Sequence, residues 1–145
     1  MPYVMVDEVR EQRDADKQVV TFQFFLKNFG SGVGFDVEVK INGKINGVPF
    51  SPTTIPGEHI PYPPARSRVV SRMEFAGSHY STVTNGTSVP EQAIDATYKD
   101  VAGNQYHYHI DQRYEARTGI WWTTAEWCNN AKDQPCGPGK EGFKD

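Results

Sequence analysis

Long apolar runs are missing from this chain: no stretch approaches the ~20 consecutive apolar residues that a membrane-spanning helix needs. The opening residues, Met1 to Glu8, lack the basic and apolar regions of a signal peptide. The chain as given therefore reads as soluble, with its compartment left open. Basic runs are missing too. Fifteen Lys and Arg are scattered among eighteen Asp and Glu, for a formal net charge of −3. That pattern argues against a broad phosphate-neutralising surface, so no nucleic acid is expected as a partner, and it argues against polybasic attachment to a membrane. Cysteine is scarce, with Cys128 and Cys136 as the only two. A C-x7-C pair without a nearby His supplies half of a zinc site at most. A local disulfide and a pair of free thiols both remain open. Also absent are a G-x-S-x-G elbow and the Lys-Ser/Thr ending of a P-loop after Gly30-Ser31-Gly32-Val33-Gly34. No catalytic residue and no cofactor are implied, and the chain reads as a non-enzyme.

What is present is β-forming. At 145 residues the chain has the length of one domain, enough to bury a core without staples. Seven Tyr, eight Phe and many Val lie in short segments of period-2 alternation, which is the strand signal. Val20, Phe22, Phe24 and Leu26 share a face, and so do Phe35, Val37, Val39 and Ile41. Val69, Ser71, Met73 and Phe75 form a third set. Residues 92–114 read as a hairpin about the turn Lys99 to Asn104, with Ile94, Ala96 and Tyr98 inward on the first strand and Tyr106, Tyr108 and Ile110 on one face of the second. Arg10 to Lys17 is polar and reads as a connection, as does Ser78 to Pro90. Asn42-Gly43 and Asn46-Gly47 are hairpin-type dipeptides. Residues 48–64 hold six of the ten prolines and read as an irregular edge crossing. The expected fold is all-β: an immunoglobulin-like antiparallel sandwich of about seven strands over residues 1–127, with an irregular tail over 128–145.

Two segments carry a resemblance: Phe24 to Val39, where a strand ends in Asn28-Phe29-Gly30 and a small-residue loop leads to the next strand, and Ala96 to Tyr106, where Tyr98-Lys99-Asp100 precedes a Gly turn. With Ile55-Pro56-Gly57-Glu58, they resemble bacterial immunoglobulin-like accessory domains over roughly residues 18–114. The resemblance implies a sandwich with a broad accessory role, and it supplies no catalytic residue.

Three groups of side chains are candidate sites. His107, His109 and Asp111 project from one face of a strand, a way to hold zinc, copper or iron. His59, His79 or Glu115 are candidates to complete that set. The alternative is the solvated side of an amphipathic strand. Trp121, Trp122 and Trp127 are the second group. Exposed tryptophans anchor a protein partner or stack on sugar rings, and buried ones cap a core. Tyr62, in the proline-rich crossing, is a further candidate partner contact. Cys128 and Cys136 are the third group, as a disulfide pair. These features favour a non-catalytic module that recognises a protein partner or self-associates. A carbohydrate-binding module and a small metalloprotein with a His-x-His site are the alternatives.

Overall fold

The computed structural model of the chain describes residues 1–54, 59–128 and 131–132. Eleven strands and one short helix occur among them: β1 Val4–Asp14, β2 Val19–Asn28, β3 Gly34–Ile45, β4 Val48–Phe50, β5 Thr53–Thr54, β6 Ile60–Tyr62, β7 Ser67–Ala76, α1 Ser78–Thr84, β8 Pro90–Lys99, β9 Gln105–Glu115, β10 Ile120–Cys128 and β11 Ala131–Lys132. Seven of these strands (β1, β2, β3, β7, β8, β9 and β10) run for nine residues or more. They form an all-β sandwich of two antiparallel sheets. One sheet has the order β1-β2-β7-β5. The other has the order β11-β10-β9-β8-β3-β4, with β6 also on β3.

Alternation decides which side chains meet between the sheets. Val20, Phe22, Phe24 and Leu26 of β2 are fully buried, facing Ile94, Ala96, Tyr108 and Ile110 of the other sheet. The core is linked by a polar bridge, in which the Ser71 hydroxyl of β7 donates to Gln92 Oε1 of β8 at 2.7 Å. Asn46-Gly47, both with positive φ, make the two-residue turn between β3 and β4.

Several expectations are corrected. The Arg10 to Lys17 connection is shorter than its polarity suggests: β1 continues to Asp14, because an edge strand with one solvated face tolerates charged residues. Ser78 to Pro90 contains α1, whose single buried side chain is Val83. Phe35 does not share the inward face of Val37. A register shift between Phe35 and Glu38 leaves it 39% exposed, beside a positive-φ Asp36. Asn42-Gly43 is no turn but lies inside β3, where a Cβ on Gly43 would stand 2.8 Å from Pro52. The proline-rich crossing is irregular yet supplies β4, β5 and β6 to sheet edges. β10 runs to Cys128, and its Trp127 and Cys128 pair with Lys132 and Ala131 of β11.

Candidate functional site

The candidate residues come together, in part, on the outer face of the larger sheet where β8, β9 and β10 run side by side. On β9 the even positions Tyr108, Ile110 and Tyr114 enter the core, and the odd positions His107, His109 and Asp111 face outward. The period-2 reading of that strand holds.

β10 adds a bulge. Trp121 pairs with Tyr114 and Trp122 with Arg113, but a register shift between Thr123 and Ala125 puts Trp127 opposite His109. Strict alternation would have placed Trp127 on the face of Trp121. The extra residue instead turns it outward, onto the face of Trp122. The three tryptophans therefore do not form one cluster. Trp121 packs inward against the rings of Phe22, Phe24 and Tyr114, with centroids 5.2, 4.9 and 5.5 Å away. Trp127 stacks on His109 at 5.1 Å and 18°, and meets His107 edge-on at 4.9 Å. Trp122 is 50% exposed and contacts no aromatic ring among the described residues. Tyr62 is buried in the core, and that burial pushes its hydroxyl pKa up to about 12. It presents no free surface for a partner.

The two imidazoles converge on a carboxylate that the sequence reading did not single out. His107 Nε2 lies 2.9 Å and His109 Nδ1 2.7 Å from the same oxygen, Oδ1 of Asp95. His109 Nε2 lies 3.0 Å from Asp111 Oδ1. Burial lowers the pKa of His109, but the hydrogen bonds and charges of Asp95 and Asp111 outweigh it and the net shift is upward. A ring with a carboxylate at each nitrogen suits the imidazolium, which donates from both. Asp95 was legible in principle, since a hairpin about Lys99 to Asn104 brings it opposite His109. Among the described residues, no group of three or more His, Cys, Asp and Glu side chains is placed to hold a metal ion. None of the suggested completing ligands joins the pair. His59 bonds to Asp36, His79 lies in the first turn of α1, and Glu115 pairs with Arg117 at 3.4 Å.

Two of the concavities among the described residues flank this face. A groove of about 670 Å³ lies at the end of the sheet, with Trp122, Arg113 and Arg117 on one side and Asn85, Gly86 and Ser88 on the other. A second cavity, of about 310 Å³, opens at the seam between β1 and β10, where Val6, Val9, Trp121 and Thr123 line it. The indole N–H of Trp121 is buried there, with no hydrogen-bond partner among the described residues. Along β10 the strand β11 pairs only with Trp127 and Cys128. Among the described residues no strand pairs with the outer edge of Ile120 to Ala125. Cys128 is disulfide-bonded. Cys136 lies outside the described residues, as do residues 55–58 of the Pro-Gly-Glu turn. No helix among the described residues is long and apolar enough to cross a membrane. No protein-family model matches this sequence, and no curated protein is recognisably similar to it.

Proposed function

We propose that the protein is a non-catalytic, immunoglobulin-like module that takes up a protein partner as an added strand along β10. The strand order supports the immunoglobulin-like part: β1-β2-β7-β5 against β9-β8-β3-β4 corresponds to the ABED and GFC arrangement of that fold, with β4 as a C′ strand and β10 as an extension. The observation that carries the binding role is the character of the β10 edge. Ile120-Trp121-Trp122-Thr123-Thr124-Ala125 is uncharged, β-forming and unpaired on one side among the described residues. Sheet edges are ordinarily blunted by charge, proline or brevity. β1, by contrast, carries Asp7, Glu8, Arg10, Glu11, Arg13 and Asp14, and β4 and β5 are three and two residues long. An extended segment bound at β10 would gain main-chain hydrogen bonds, with the seam cavity available to its side chains.

The test places a lysine on that edge. Thr123 is exposed and lines the seam, so Thr123→Lys should leave the fold intact. Wild-type protein is expected to self-associate in light scattering or to retain a partner in pull-down, and Thr123→Lys to lose that association. In the complex, amide hydrogen exchange at residues 120–125 should slow. Association that is unchanged in Thr123→Lys, with no added protection at those amides, overturns the reading.

A further inference from the structure

Beyond the strand-binding edge, the geometry points to the Trp122 groove as a site for an acidic saccharide, one whose sugar ring lies on the indole and whose carboxylate meets Arg113. Among the described residues, Trp122 is the one tryptophan of the three that packs against no other ring. Trp121 is packed among three core rings, and Trp127 among two imidazoles, whereas Trp122 leaves half of its surface open over the groove. Its backbone is fixed within a paired strand, and an indole has only two side-chain torsions to order when a ligand covers it. The groove, at about 670 Å³, is within the range of small-ligand sites.

The lining selects the ligand class. A peptide side chain acting as an anchor asks for a well-packed apolar pocket. This groove instead sets the exposed Trp122 face, with Val89, Tyr114 and Ala116 beside it, among the hydrogen-bonding groups of Asn85, Ser88 and Arg113. A flat apolar face ringed by hydrogen-bonding groups fits a pyranose, which has an apolar C–H face and hydroxyls at its rim. The preference for an acid comes from the charges. Arg117 is engaged by Glu115 at 3.4 Å. Arg113, the cross-strand neighbour of Trp122, is exposed and makes no ion pair among the described residues. Glu91 is the other cross-strand neighbour of Arg113, but it does not line the groove. A guanidinium beside an aromatic platform is placed to grip a carboxylate with paired N–H donors.

The probe is trigalacturonate, with the neutral trisaccharide of the same linkage as control, titrated into the whole chain while the tryptophan indole N–H resonances are followed. The Trp122 resonance is expected to shift saturably with trigalacturonate, and the neutral sugar to bind about tenfold more weakly. Trp122→Ala should abolish the binding and Trp127→Ala should keep it. Arg113→Gln should reduce trigalacturonate to the level of the neutral sugar. Thr123→Lys, which does not touch the groove, should bind the sugar normally even where it loses a protein partner, so the two readings fail separately. The proposal is overturned if trigalacturonate gives no saturable shift, or if the shift survives in Trp122→Ala. Equal affinity for the two sugars overturns the role of Arg113. Saturation by a glutamate-rich hexapeptide but not by sugar overturns the saccharide class.

Discussion

Asn28 uses its whole side-chain hydrogen-bonding capacity. Its Oδ1 accepts from the backbone N–H of Tyr3 at 3.1 Å and of Gly30 at 2.9 Å. Its Nδ2 donates to the carbonyls of Gly32 and Tyr62, each at 2.7 Å. One buried amide thus fastens the N-terminal segment, the glycine loop and β6 together, which is a physical reason for asparagine in the Asn28-Phe29-Gly30 pattern. Asn28→Ala would strand several buried backbone groups, and is expected to cost on the order of 3 kcal/mol in urea unfolding. Asn28→Asp should cost a similar amount, because it replaces two donors with an oxygen facing two carbonyls. His109 offers a test by pH. Its pKa is raised in the fold despite burial, through Asp95 and Asp111. A raised cationic pKa stabilises the fold fully below the unfolded value of about 6.5, and that stabilisation is lost as pH rises through the folded value. The groups facing the ring are Asp95 from β8, Asp111 and His107 from its own strand, and Trp127 from β10. Asp95→Asn is expected to lower the His109 midpoint, read from its ring-proton shifts.

At the level of elements, the β8–β9 turn is built around Asp100. Its two oxygens accept from the backbone N–H of Ala102 and Asn104, from the Asn104 amide and from the Tyr106 hydroxyl, at 2.9–3.0 Å. Hydrogen bonds from Asn104 lead the causes that lower its pKa, against a smaller opposing effect of burial. A depressed carboxylate stabilises the fold above its unfolded pKa, and the effect is lost as pH falls through the folded value. Asp100→Asn should therefore be less stable than wild type at neutral pH, with the gap in urea midpoint closing as both are taken into acid. Gly43→Ala tests the packing of β4 on β3. A Cβ there meets Pro52 at 2.8 Å and the Phe50 ring at 3.0 Å, and the expected loss is about 1–3 kcal/mol in thermal or urea unfolding. The β2, β8 and β9 faces and the turn between the last two were legible in the sequence, because alternation and Asn/Gly chemistry are local signals. Phe35, Trp127 and Val69 were not: Val69 was expected on the face of Ser71 and Met73, but it is Val70 that is buried there. Each sits beside a register shift, and a one-residue bulge inverts every face beyond it without leaving a mark in composition. The candidate site was half legible for a related reason. The outward face of His107 and His109 follows from one strand, whereas Asp95 and the groove wall at Asn85 and Ser88 require knowing how strands and loops assemble.

Over the whole molecule, the two sheets are joined unevenly. Consecutive strands cross between them at the β2–β3, β4–β5, β6–β7 and β7–β8 connections, while the side between β1 and β10 is left as a seam with a cavity. Side chains rather than main chain close that side. Tyr114 donates its hydroxyl to Glu11 of β1 at 3.1 Å, and Arg13 of β1 donates to the Tyr114 oxygen at 3.4 Å. Trp121 lies beneath them, its ring against Phe22 and Phe24 of the opposite sheet. The sandwich therefore depends on one tryptophan of the Trp121-Trp122 pair and hardly on the other, although the two are adjacent in sequence. Trp121→Ala removes a large side chain that spans both sheets and is expected to cost roughly 2–4 kcal/mol. Trp122→Ala removes a half-exposed side chain with no ring partner among the described residues, and should fall within about 0.5 kcal/mol of wild type. Paired urea unfolding curves decide it. A large loss in Trp121→Ala with an unchanged Trp122→Ala would mean that Trp122 is held for contact rather than for folding; equal losses would return it to the structural framework and remove the groove as a site.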